Sequence, residues 1–395
     1  TSGEADAEAY GVAGMLTTPT VSDKFKLTVT AKSDAGTASA QGFAGTDIES
    51  GLAGKISVTA ESKSGDAEAA GGELSCSTFR TQAGNKFEVI AKTKGEEAEA
   101  SAVGITGDTG EIDLGGRLTV VAQGDCSFAC GVDADNALYG SISGVISVIG
   151  GNACGVAGGS GSDLEISGGV YAGTKGNAND IAGYLEHRIG TGRNASGQNN
   201  NTALAVSLGD VSTLTLTDGA IVIGDVSLGD CSTLNLSTGS QLYGDIDMES
   251  SGTLNFTIDG TLFSAPVVTL NSAGAGVFAE GSGVNLTITA TGVSETGKYV
   301  LLAGSDLSEL SDVDFNTLFD LVDFDTYGLA ASWELDLSGK TDTLTLVLSD
   351  APVGFSANLL SATDLNSADQ MLSSSSFIDE SATSNANALK NALIA

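Results

Sequence analysis

The chain holds a single histidine, His187, so any serine–histidine–aspartate relay would have to run through it. His187 lies in a polar segment rich in glycine and asparagine, residues 186–202, and no Gly-Asp-Ser-Gly motif accompanies it. Gly158-Gly159-Ser160-Gly161-Ser162-Asp163 is only a superficial likeness. A base must be held rigidly beside its hydroxyl to activate it, and a solvated loop histidine is the plainer reading. The acid pairs Asp245/Asp247 and Asp323/Asp325 alternate as residues of one strand face would, which acid–base cleavage of a glycosidic bond could use. Acidic residues are so common here that such pairs arise by chance, and aromatic platforms for sugars are scarce at 5%, with one Trp. Residues 158–166 approximate the nonapeptide that binds calcium between turns of repeat β-rolls. That segment occurs once, whereas such a site takes two successive turns. The expectation is no catalytic residue and no resident cofactor or metal, with at most weak calcium binding; the alternative is a carbohydrate-active enzyme, a polysaccharide lyase or glycoside hydrolase.

The elements that would position these residues are written in repeats, which are sought first because they decide the architecture. Ala-x-Gly recurs with glycines at 11, 42, 71, 104, 131 and 155, spaced by 31, 29, 33, 27 and 24 residues. Apolar pairs at i, i+2 follow the same slowly shrinking period: Leu27/Val29, Ile56/Val58, Phe87/Val89, Leu118/Val120 and Ile146/Val148. Corner signals, Gly65-Asp66, Gly95-Glu96, Gly124-Asp125 and Gly151-Asn152, precede the Ala-x-Gly strands. Beyond residue 202 the period tightens to 20: Ser207-Leu208-Gly209-Asp210-Val211-Ser212-Thr213-Leu214-Thr215-Leu216 returns as Ser227-Leu228-Gly229-Asp230-Cys231-Ser232-Thr233-Leu234-Asn235-Leu236.

Alternation at period two with Gly, Asp and Asn corners means strands, and a period of 20–33 residues is one coil. A coil of that size cannot bury its own inward face, so neighbours stack. The expected fold is all-β, a right-handed parallel β-helix of about a dozen coils, a rod roughly 55–60 Å long at ~4.8 Å per coil. A propeller blade needs about 40 residues, which a 20-residue unit cannot supply. Residues 1–202 read as the longer coils, with 186–202 thrown out from one corner, and 203–296 as the 20-residue coils. Residues 297–350 read as a C-terminal cap, with a strand at Tyr299–Leu302 and a β-hairpin pairing Trp333–Leu337 with Leu344–Leu348. Residues 351–395 read as a linker or helical tail.

The coil register gives the cysteines meaning. Cys130 and Cys154 each precede a column glycine and so face one another in consecutive coils, within the Cα range of a disulfide. The plainer reading is a buried stack of reduced thiols, since stacked parallel strands often misalign the Cβ vectors. No CxxC occurs among the five cysteines, so a zinc site has little support.

Charge narrows the partners. The chain carries 50 acidic and 16 basic residues, a net charge of −34, which disfavours nucleic acid. Thirteen of the 16 Lys and Arg fall in residues 1–193. The acidity serves solubility and guards the sheet edges, or else keeps anionic surfaces away. In the 186–202 segment, His187, Arg188 and Arg193 would make a local positive point suited to a sulfated or carboxylated glycan; the alternative is a tolerated insertion with no partner.

The stacked Gly-Asp-x-Ser-x-Gly-x-Leu-x-Leu coils, the segment Gly297-Lys298-Tyr299-Val300-Leu301-Leu302 and the Trp333 to Leu348 hairpin resemble the passenger region of bacterial autotransporters, of the pertactin type. The likeness is carried by residues 200–395 and by the coil pattern before them. It implies a secreted β-helix shown at the cell surface of a Gram-negative-type outer membrane, with adhesion or surface presentation as its role. It further implies a host glycan or host surface protein as partner, and membrane attachment only through a barrel domain outside this chain.

Overall fold

The computed structural model describes residues 6–13, 25–44, 48–52, 54–74, 77–108, 110–173, 203–249, 251–259, 265–270, 276–278, 282–290, 293, 295–324 and 329–350. Three long sheets run along one axis: sheet A with 9 strands, sheet B with 12 and sheet C with 10. Each coil visits them in the order B, A, C. Lys55–Ser62 lies in sheet B, Ala67–Leu74 in sheet A and Ser77–Thr81 in sheet C, and Lys86–Thr93 then returns to sheet B. Coil-to-coil pairing is parallel throughout, so the chain is a parallel β-helix.

Its core is built from in-register columns. Leu27 pairs with Ile56, then Phe87, Leu118, Ile146 and Val170; Val29 pairs with Val58, then Val89, Val120 and Val148. Leu214, Leu234 and Leu254 stack at the 20-residue period, beside Leu216, Leu236 and Phe256; the next coil is longer than the expected 20, since Leu286 and Ile288 join these columns after 32 residues. Every other residue along these strands is buried, because successive side chains leave a strand on opposite faces. Full burial of one such side chain stabilises by about 1.5–3 kcal/mol, set against an ordering cost of about 1–2 kcal/mol per residue, so no single coil holds itself.

The Ala-x-Gly signal has a steric cause. A methyl group on Gly104 would lie 2.3 Å from the carbonyl oxygen of Gly131, and one on Gly131 would lie 2.3 Å from that of Gly155. Branched side chains of sheet B press from the other side, Ile146 Cγ2 at 2.7 Å in the case of Gly131. The column stops at Ala205, against whose carbonyl Gly155 packs.

The corner signals also resolve into contacts between coils. Asp66 accepts the amide of Glu99, Asp210 that of Asp230 and Asp225 that of Asp245, at 2.9–3.0 Å. Where strand pairing lapses at a corner, the carboxylate thus carries the ladder to the next coil. Ser162, Ser212 and Ser232 form a buried column at the corner between sheets A and C that also holds Asp210, Ser162 and Ser212 each giving the amide to the hydroxyl of the next.

At the C-terminal end Gly297–Gly304 stays in sheet B and Phe319–Phe324 in sheet C, so the coil path continues past residue 297. The hairpin of Leu329–Asp336 and Asp342–Asp350 then adds to sheet B in antiparallel sense. Trp333 stacks on Phe319 with ring centroids 4.9 Å apart and meets Phe315 at 5.6 Å. The tail at 351–395 lies outside the described residues.

Candidate functional site

The outward residues of sheet A form a shallow groove over its first four strands. One column runs Tyr10, Gln41, Ala70, Val103, Cys130, Cys154, Leu204. Beside it stand Ser39, Glu68 and Ser101, with Asp66 and Glu99 at the rim; together with Tyr10 they line about 400 Å³. Tyr10 is 63% exposed at one end, an aromatic plate beside hydroxyls and carboxylates. Such a set can stack on a sugar ring and accept its hydroxyl hydrogens.

Farther along the same column Cys130 and Cys154 are register partners, 1% and 9% exposed. Both are free thiols. Cys130 donates to the Val132 carbonyl at 3.3 Å, and its hydrogen bond with Cys154 together with burial pushes its pKa far up. At neutral pH that sulfur is a thiol and not a nucleophile.

Sheet C presents a second face. Glu111, Asp113, Asp163 and Glu165 surround Tyr139 and Ser141 in a depression of about 380 Å³. Arg80 bridges to Glu111 at 3.0 Å, and Ser141 donates to Asp113 at 3.1 Å. Beyond it the face turns neutral. Asn235 donates to Thr215, Asn255 donates to Asn235, and Thr287 and Thr289 both donate to Asn255. This ladder saturates its own hydrogen bonds, as a structural element does.

Of the residues singled out from sequence, Cys130 and Cys154 are brought together, whereas His187, Arg188 and Arg193 lie outside the described residues. The strands flanking that segment are Gly169–Gly173 in sheet B and Ala203–Leu208 in sheet A. Asp245 and Asp247 do not share a strand. Asp245 stands at a corner with its amide on Asp225, before the strand Ile246–Met248 that holds Asp247. Asp323 has φ +48°, and Asp325 lies outside the described residues. The nonapeptide-like stretch is a corner followed by the strand Asp163–Ile166, with Ser162 Oγ accepting the amide of Leu138. Among the described residues no group of three or more His, Cys, Asp or Glu is placed to hold a metal ion.

No protein family, curated protein or solved structure matches this chain.

Proposed function

We propose that the chain is a non-catalytic rod presented at a bacterial cell surface, which adheres through its outer faces to a host glycan or host surface protein. The observation that supports this reading is the stack itself: sheets of 9, 10 and 12 strands with, among the described residues, an antiparallel hairpin added only at the C-terminal end. A stiff rod carries contact surfaces away from its point of attachment, and recognition on such a scaffold sits on exposed faces and loops. The groove at Tyr10 supplies a surface of the right chemistry for an uncharged or amine-bearing sugar, since carboxylates ring it.

Two measurements test the reading. Antibodies raised against the purified chain should label intact source cells, and the label should be lost on brief protease treatment. Beads coated with the chain should bind host cells or immobilised glycans. Antigen found only after cell lysis, or beads that bind neither surface, would overturn it.

A further inference from the structure

The register of sheet B places four cations in one line. Lys26 pairs with Lys55, Lys55 with Lys86 and Lys86 with Arg117, each directly opposite the next. Their side chains are exposed on the outer face, and coil spacing sets their backbones ~4.8 Å apart. The ion pairs among the described residues lie elsewhere: Lys32 with Glu61, Lys63 with Asp34, Arg80 with Glu111, and Lys298 with Glu334.

Like charges directly opposite in a sheet are destabilising. With 50 acidic residues available, the sequence still places none in this column over four coils. Six positions along the same strands the arrangement is the opposite. There Glu61 stands between Lys32 and Lys92, and these lysines hold its carboxyl below the usual range. The fold therefore sets a carboxylate between the lysines of one column and none between the cations of the other.

We propose that the sheet B face over these coils binds a linear anionic glycan, carboxylated or sulfated, lying along the rod axis. The hydroxyls of Thr28, Ser57 and Thr119 occupy the next outward column and suit sugar hydroxyls; Glu88 is the one carboxylate among them. A cation line one residue wide matches a single extended polymer. A membrane would have to meet a broader area of a molecule whose net charge is −34. Single-stranded nucleic acid is held by stacked aromatics as well as cations. The column beside these four holds hydroxyls and one carboxylate, and its first ring, Tyr171, stands two coils beyond Arg117.

This inference concerns a face separate from the Tyr10 groove, and it stands or falls in the purified chain whether or not the chain is surface-displayed. The probes are a sulfated heparin-type polysaccharide, a polyuronate, an oligothymidylate and phosphatidylglycerol vesicles, titrated with the full chain. Binding of the anionic polysaccharides is expected to fall on the order of 100-fold between about 50 and 200 mM salt, the counterion release of about four contacts. The variant K26Q/K55Q/K86Q/R117Q should lose that binding and its salt dependence. Because it also relieves repulsion, its denaturation midpoint should stay equal or rise. Loss of binding together with a lowered midpoint would mean misfolding, so the double variants K26Q/K55Q and K86Q/R117Q are run beside it, each expected to lose part of the affinity at full stability. Wild-type-like binding by the folded quadruple variant would overturn the proposal. So would no binding to either polysaccharide, or tighter binding to the oligothymidylate or the vesicles.

Discussion

Replacing Gly131 by Ala tests the stacking argument at its tightest point. The new methyl would sit 2.3 Å from the Gly155 carbonyl oxygen and 2.7 Å from Ile146 Cγ2, against an ordinary contact of 3.4 Å or more. The two coils must therefore part by about 1 Å, while the pairs Cys130–Cys154 and Val132–Val156 on either side hold them in register. Overpacking of this kind costs about 1–3 kcal/mol, and each weakened ladder hydrogen bond adds about 0.5–1.5 kcal/mol. Against this, alanine restricts the unfolded chain and returns about 0.4–1 kcal/mol. The net expectation is a loss of about 3 kcal/mol, a factor of more than 100 in the local opening equilibrium. Gly110 is the control, since a methyl there meets nothing within 4 Å and G110A should be neutral or slightly stabilising. Solenoids unfold in segments, so the assay is native-state hydrogen exchange of amides in the strands Cys126–Ala134 and Asn152–Gly158. If G131A and G110A change protection equally, close backbone approach is not what requires glycine in this column.

The remaining predictions concern a corner, the thiols and one half-buried acid. Val211 holds φ +57° and is 68% exposed, a strained conformation for a β-branched residue, so V211N should raise the urea midpoint by about 1 kcal/mol of stability; an unchanged midpoint would refute the strain. In the folded chain Cys126 and Cys231 should react with iodoacetamide while Cys130 and Cys154 stay protected until denaturant is added; equal rates at all four would contradict their burial. Burial first, and Asp135 second, raise the Asp133 pKa above 3.8. Its ionisation therefore opposes folding above the raised value, and the cost disappears below the unfolded one. D133N should stabilise at pH 7, with the gain shrinking as pH falls toward 3.8, and a gain independent of pH would rule this out.

Much of the fold was legible because a parallel coil repeats its own constraints. The pairs from Leu27/Val29 to Ile146/Val148 mark the first five passes through sheet B, since an inward residue must stack on its equivalent one coil away. The same register put Cys130 opposite Cys154. Less legible was why Asp follows Gly at so many corners. Turn propensity explains the residue type, but the amide it serves belongs to the next coil, 20 positions on at Asp210 and Asp225 and 33 at Asp66. At Asp245/Asp247 the acidic alternation crosses a corner, since Asp245 precedes the strand Ile246–Met248 and gives its amide to Asp225.

The cation line bears on the largest gap in a reading by composition. Net charge is a sum over faces, and a rod with three sheets can present faces of opposite sign. The signal was in the sequence, one residue before each apolar pair: Lys26-Leu27, Lys55-Ile56, Lys86-Phe87 and Arg117-Leu118. A column detected by its inward members has outward members of equal regularity, and in a solenoid they lie in straight lines about 4.8 Å apart per step. Inward columns report stability, since burial rewards any apolar residue of suitable volume. Outward columns owe nothing to the core, so a regular outward column that burdens the fold, as four stacked cations do, is the place to look for a ligand. Sequence alone drew attention to Arg188 and Arg193 because they stand out among polar neighbours; the stacked coils assemble a longer positive line from residues that each look like an ordinary surface lysine.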